Sequence, residues 1–440
     1  MTVISTATAT LLLPILQRAF PDVKSYEVKN NIVQANAEGF CIEISGEHNS
    51  NNKLFVKCVE ASKYAHKPWG DLRRTLLYSR TEARFYSDIL PLLKENSSSS
   101  WKIAPDCYLA ESVLHDLIGE EESAAAKVVT GDGQDHEPKY DTSEKSVLEN
   151  KGGNLILESI QGNYYQTSPL SITEASQCLA TIAKFHATAF GNQEILHKVS
   201  TKLCEYGGSY HLKNRNPKEL ENICHTWDAF LGNIQEAAPA DFFTRENIRN
   251  LGQRIGNIAH YISDELSPAH KDEFATIVHG DFKAMNIFIP LRDSDNDGDG
   301  ITKPEPLLID FASAGVGNGL SDVAMHITHA VVPSDLANGG EEKLVEYYLS
   351  ELRNALPPSQ KDLYPKTVAM RHYRLATVDY FRFVLGRLWK GVTLESFEKR
   401  KDSKNAVLVN RSVEAALAFI QRVDKYTEII ENELKIKEEP

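Results

Sequence analysis

The chain has 440 residues, 42% hydrophobic and 25% charged, enough for two lobes with separate cores in an ordinary globular protein. Its 48 Lys and Arg face 61 Asp and Glu, a net charge of −13; an excess of that sign repels a phosphate backbone, so nucleic acid is not expected as the main partner. The six cysteines, Cys41, Cys58, Cys107, Cys178, Cys204 and Cys224, form no C-x-x-C pair and read as buried thiols in a reducing compartment.

The opening "MTVISTATATLLLPILQRAF" has no basic residue before Arg18, and Pro14 breaks its apolar run. It makes a poor signal peptide and is too short to span a bilayer. The first ten residues lack acids and are rich in Ser and Thr, as in a transit peptide, but arginine is missing. The cytoplasm is the expected location.

Farther along, "SYEVKN", "FCIEIS" and "KLFVKCVE" read as strands, the last two joined by the turn "GEHNSNN". A helix is expected over "RTLLYSRTEARFYSDIL", ended by Pro91. "CYLAESV" and "NLILESI" read as two further strands. Between them, the polar, acidic stretch from Gly119 to Gly153 reads as a disordered insertion. From Ser171 the chain is mainly helical, interrupted by the strands of "IVHGD", "NIFI" and "PLLIDF". Residues 1–160 are thus expected as a small, mostly antiparallel β-rich lobe and residues 161–440 as a helical lobe, an α+β architecture with a cleft between.

Two stretches look able to hold a metal. In "IVHGDFKAMNIFI" an apolar strand runs into a loop carrying Asp281, Lys283 and Asn286, and "LLIDFASAG" later brings Asp310 out of another strand. Hard cations such as Mg²⁺ take oxygen ligands and leave positions for substrate phosphates. The amide oxygen of Asn286 and the carboxylate of Asp310 suit that, while Asp281 is left to accept a proton from an attacking hydroxyl. The second stretch, "DSDNDGDGITKP", offers Asp293, Asp295, Asp297 and Gly298 in the pattern of a calcium loop, but Pro304 stands where a bidentate Glu belongs and the flanks are strands. It reads as a solvated hairpin tip.

H-G-D-x-x-x-x-N followed by I-D-F resembles the signature of aminoglycoside phosphotransferases, choline kinases and related small-molecule kinases, the ecdysteroid kinase-like branch among them. The resemblance implies a protein-kinase-like two-lobed fold, with ATP and Mg²⁺ as cofactors and a hydroxyl on a small molecule as acceptor. Gly280, where protein kinases carry Arg, and "GNGLSDVAMHI" after Asp310 point to the small-molecule branch.

The remaining parts of such a site can be sought on physical grounds. Lys57 ends the apolar run "LFVK", where a cation reaches nucleotide phosphates. Glu82 shares a helical stripe with Phe85, Tyr86, Ile89 and Leu90, so it points into the core and needs a partner, for which Lys57 is the candidate. The pair resembles the kinase Lys–Glu ion pair. "LILESI" resembles the strand into the hinge, which implies that the backbone from Glu158 to Ile160 meets adenine. A phosphate loop is expected in "VQANAEGF", with Gly39 as its single glycine, and Lys283 is expected to neutralise the transferring group.

Other groups read as structural: His279 as a buttress of the loop, His186 as a core histidine, and Tyr380, Phe381, Val384, Leu385, Leu388 and Trp389 as core rather than a quaternary-ammonium cage. The expected activity is an ATP-dependent small-molecule kinase. A nucleotide-binding pseudokinase serving as an interaction module, favoured by the sparse glycine loop, and a Ser/Thr protein kinase are the alternatives.

Overall fold

Alternation along the first strands builds a sheet with two buried faces. In the computed structural model, which describes residues 6–33, 36–45, 53–97, 101–114, 117, 125–127, 145–291 and 304–438, they are β1 (Ser25–Val33), β2 (Glu38–Ser45) and β3 (Lys53–Glu60). With β4 (Cys107–Val113) and β5 (Gly152–Glu158) they form an antiparallel sheet of order β1-β2-β3-β5-β4. Successive side chains point to opposite faces. Leu54, Val56 and Ile156 therefore meet one apolar cluster, while Leu155 and Leu157 join the large core on the other side, with Phe55 packed against it.

The first cluster is closed by the helix Thr6–Ala19, whose Leu12 and Leu16, one turn apart, are buried against Phe40, Ile42 and Ile44. The opening apolar run, weighed above only as a targeting signal, is a structural part of the small lobe.

The helix packed on the sheet differs from expectation at both ends. It starts at Trp69, after Pro68, and Pro91 does not end it. A π-turn at Phe85–Ile89, in which the Leu90 amide donates to the Phe85 carbonyl, leads into the helical turn Leu90–Glu95. Pro91 falls in the first positions of that segment, where its missing N–H costs no hydrogen bond.

The expectation of disorder throughout Gly119–Gly153 is corrected at three places. Ala126 forms a β-bridge to Cys204, Lys145–Leu148 is helical with Leu148 buried, and Gly152–Gly153 begin β5. Short apolar footholds within a polar stretch hold these pieces. Residues 119–124 and 128–144 of that insertion, and the run Asp293, Asp295, Asp297 and Asp299, lie outside the described residues.

After β5 the fold becomes helical. Ile172–Ala187 opens with a capping box between Ser171 and Glu174, and Leu251–Glu265, Leu320–Ala330, Gly340–Ala355, Lys366–Phe383 and Val413–Glu438 complete the main frame. Two small antiparallel sheets sit on it: β6 (Tyr164–Tyr165) with β8 (Ile287–Pro290) and β9 (Leu307–Leu308), and β7 (Ala275–Val278) with β10 (Gly315–Asn318). Tyr380, Phe381, Val384, Leu385 and Trp389 are buried, with Trp389 stacked on Phe230 at 4.1 Å, so this stripe is core. All six cysteines are free; Cys41, Cys178 and Cys204 are buried, and the other three are half-buried rather than buried as expected. Among the described residues no helix is long and apolar enough to cross a membrane.

Candidate active site

The sheet register puts Lys57 of β3 between Gly39 of β2 and Leu155 of β5, on the face turned toward the helical lobe. Its Nζ lies 2.6 Å from Glu82 Oε2 and 3.2 Å from Asp310 Oδ1. The side chains of Lys57 and Glu82 are 14% and 5% exposed, so each charge would be costly alone. Burial disfavours the ammonium, but Asp310 and Glu82 outweigh it and raise the Lys57 pKa. Burial also opposes ionisation of Asp310, yet Lys57 and Lys283 hold its carboxyl down at about 2. Glu82 is pushed up by burial, partly offset by Lys57.

The loop after β7 presents Asp281, Lys283 and Asn286 together. Lys283 Nζ is 2.7 Å from Asp281 Oδ2, and Asn286 Nδ2 donates to the Asp281 carbonyl at 2.8 Å and to Oδ2 at 3.0 Å. Gly280 has φ of +80°, and a Cβ there would stand 2.2 Å from the Ser313 carbonyl oxygen. No side chain fits there without moving the Ser313 backbone, so the position calls for glycine. His279 is fully buried, and its Nε2 meets the Ile309 carbonyl at 2.9 Å, tying this loop to the one that carries Asp310.

A residue that sequence reasoning missed holds the loop from behind. Asp322, 1% exposed in Leu320–Ala330, accepts from the amides of His279 at 2.7 Å and Gly280 at 2.9 Å, and its Oδ2 lies 3.1 Å from His186 Nε2. His186 in turn meets the Tyr348 hydroxyl at 2.8 Å. The signal was weaker than at Glu82: Asp322 shares its helical face with Met325 but also with His326 and His329, so the face does not read as an apolar stripe.

Asp310 adopts left-handed backbone angles, φ 66° and ψ 59°, which turn the chain sharply so that its carboxylate faces the cleft while Phe311 faces the core. Phe311 stacks on Phe85 at 3.7 Å and lies 4.7 Å from the His279 ring, joining the Glu82 helix to both loops.

The expected nucleotide contacts fall in two places. At the end of β5 the Glu158 amide donates to Asp106 and that of Ser159 to Lys53, while the Ile160 amide makes no backbone hydrogen bond among the described residues. The Glu158 side chain pairs with Lys102 at 2.7 Å. Gly39 lies within β2 rather than in the β1–β2 turn, and a Cβ on it would meet the Phe55 ring at 2.9 Å. Packing against Phe55 favours a glycine there.

The donor set suits a hard divalent cation. With its amide nitrogen spent on Asp281, Asn286 has its oxygen free, and Asp310, 35% exposed, has an oxygen beyond the one facing Lys57. Among the described residues no group of three or more His, Cys, Asp or Glu gathers as a closed metal cage. Two lysines face three carboxylates here, so a triphosphate would need added positive charge.

A small antiparallel lobe over a helical one, with a lysine–glutamate pair above two carboxylate-bearing loops, is the protein-kinase-like fold in its small-molecule kinase form. The chain belongs to the ecdysteroid kinase-like family, whose model matches residues 42–359. No curated protein sequence matches it. Among solved structures it is similar to an aminoglycoside phosphotransferase from Alicyclobacillus acidocaldarius, at 10% identity over 93% of each chain and a TM-score of 0.45. It is also similar to a choline kinase from Streptococcus pneumoniae, at 11% identity over 96% of this chain and 99% of that one and a TM-score of 0.40. A microcompartment-associated aminopropanol kinase shares 14% identity over 96% and 97%, with a TM-score of 0.43.

Proposed function

We infer that this protein transfers the γ-phosphoryl group of ATP to a hydroxyl of a small molecule. The observation that carries the reading is the convergence at the lobe junction of Lys57, Glu82 and Asp310, with Asp281, Lys283 and Asn286 on the neighbouring loop. In this reading residues 1–160 hold the nucleotide and residues 161–440 carry catalysis and acceptor binding, in the cytoplasm. Lys57 holds the nucleotide phosphates and Glu82 holds Lys57. The backbone from Glu158 to Ile160 meets the adenine, and Gly39 leaves the strand across from Lys57 open to the phosphates. Asn286 and Asp310 hold Mg²⁺, which when bound offsets phosphate charge. Asp281 orients the acceptor hydroxyl and takes its proton, and Lys283 neutralises charge on the transferring group.

Family membership supports a small acceptor over a protein one. So does the chain after Asp310: only β10 separates the turn Phe311–Ser313 from the helix Leu320–Ala330, which leaves no length for a peptide-docking segment.

The test is thermal unfolding with Mg²⁺–ATP, Mg²⁺–GTP or neither, for wild type and Asp310→Ala. Ligand at a hundred times its Kd stabilises by about 2.7 kcal/mol. A rise that requires both ATP and Mg²⁺ and shrinks in Asp310→Ala is expected, followed by phosphate acceptance in a screen of amino alcohols, sugars and sterols. Absence of any shift at millimolar nucleotide would refute ATP use and leave a binding module.

A further inference from the structure

The chain between β4 and β5 does not turn back as a hairpin, although Val113 and Gly152 pair directly across the two strands. Its described residues Leu114, Leu117 and Ala126 lie against residues of the helical lobe or the helix Trp69–Arg84. Leu114 and Leu117 are buried beneath the helix Trp69–Arg84, in a satellite core with Leu72, Leu76, Leu77 and, from the other lobe, Cys204. Ala126, fully buried, then donates its amide to the Leu203 carbonyl at 2.8 Å and accepts from the Glu205 amide at 3.1 Å.

That contact extends a ladder that ends at the chemistry. The segment Cys204–Gly207 is bonded to β10 through Cys204 to Ala314 and Gly207 to Val316, both at 3.0 Å. β10 pairs with β7, which runs straight into Gly280 and Asp281. Beyond Gly207, the Gly208 amide donates to Ser313 at 3.0 Å and the Ser209 amide to Gly280 at 2.8 Å. Ala126, Cys204–Gly207, β10 and β7 thus lie side by side, and the loops bearing Asp281 and Asp310 hang from this ladder.

The Glu82 helix is pinned to the same strip. Arg73, Leu77, Thr81 and Arg84 fall on one helical face. Arg73, 3% exposed, donates to the Lys127 carbonyl at 2.8 Å; the Thr81 hydroxyl lies 3.7 Å from Cys204 Sγ; and Arg84 donates to the Lys202 carbonyl at 3.1 Å. A cation as buried as Arg73 is costly unless its donors are taken, and one of them goes to the backbone at Lys127.

We propose that Arg73 and Ala126 are positioning residues for phosphoryl transfer: the bridge at Ala126–Lys127 braces the Glu82 helix to the ladder that carries Asp281 and Asp310. The helix then belongs mechanically to the helical lobe, and the Lys57–Glu82 pair is the joint at which the sheet meets it. This rests on the phosphotransferase reading above, because only that reading makes the Lys57–Glu82 geometry matter to turnover.

The experiment compares wild type, Arg73→Met, Arg73→Lys and Ala126→Pro as full-length chains. Proline removes the amide that bonds Leu203, and the Arg73 pair keeps the question open to test where that variant does not fold. Amide hydrogen exchange of the nucleotide-free protein comes first, and it needs no activity. We expect exchange over residues 69–84 and 279–283 to quicken together at least tenfold in Arg73→Met, while residues 25–33 keep their protection. In turnover, kcat should fall at least fivefold with the KM for ATP changed less than threefold, and Arg73→Lys should recover at least half of the loss. Faster exchange confined to residues 114–127, or kcat within twofold of wild type in Arg73→Met, overturns the brace. Wild type that shows no phosphoryl transfer would overturn the enzymatic reading instead, while the exchange pattern still decides whether the two segments move as one.

Discussion

Lys57→Met turns the electrostatics of the lobe junction into a measurable stability. In the wild type Lys57 serves two carboxylates, at 2.6 Å on Glu82 and 3.2 Å on Asp310. Methionine fills a similar volume without charge, so Glu82, 5% exposed, is left facing Asp310 with no cation between. Removing one partner of a buried pair costs about 3–5 kcal/mol. Asp310 is more than a third exposed and keeps Lys283 nearby, so water and that lysine moderate its share. The low end, about 3 kcal/mol, is the expected cost.

The second variant isolates the cause. In Lys57→Met/Glu82→Gln the stranded charge is gone, so most of the loss should return; lost packing would not. The pH dependence has a fixed sign. Without Lys57, burial and Asp310 raise the folded pKa of Glu82 further above its unfolded value of about 4.3. Stability from that group is then fully present below the unfolded value and lost as pH rises through the folded one. Urea unfolding without nucleotide should therefore show Lys57→Met far below the double variant at pH 7.5, with the gap closing at pH 5. Equal midpoints for the two variants at pH 7.5, or a gap that ignores pH, would refute the assignment of Glu82 as a buried anion held by Lys57.

Two further outcomes are expected. Gly280→Ala should lose about 1–2 kcal/mol from backbone strain alone and at least tenfold in turnover, because its φ of +80° and the Ser313 carbonyl force the Asp281 loop to move; urea unfolding with an activity assay measures both. His326, fully buried and stacked on Phe282 at 4.6 Å, is held by burial at about 4, below the usual 6.5, so its contribution is present above pH 6.5 and lost as pH falls toward 4. His326→Phe should flatten the loss of stability between pH 6.5 and 4 by up to about 1.4 kcal/mol per pH unit, read from urea midpoints at pH 7, 6 and 5.

The groups that sequence reasoning could place share one property: their surroundings are local. Asp281, Lys283 and Asn286 sit within six residues of chain, so strand, loop and strand already bring them together. Glu82 was legible because a charge on an apolar helical stripe demands a partner, and Lys57, closing the apolar run "LFVK", offered a suitable cation. The antiparallel lobe followed from period-two alternation in the strands. Pro91 misled because a proline in a helical pattern normally marks its end, and the π-turn that lets the helix restart depends on where Phe85 and Leu90 must sit against the core.

What stayed hidden depends on pairings far apart in the chain. Asp322 reaches back over forty residues to two amides, and nothing near it in sequence says which amides need an acceptor. Ala126 is less legible still, since nothing in the run of three alanines that it ends sets it apart from its neighbours. Its place is set by an unpaired edge at Leu203–Glu205 in the other lobe. Backbone polar groups buried at such an edge must be satisfied by some chain, and which chain does so is settled by topology rather than by side-chain type. The chemistry of a phosphotransferase site can therefore be read from short motifs, whereas the scaffold that keeps its two halves in register is written in main-chain contacts that composition does not reveal.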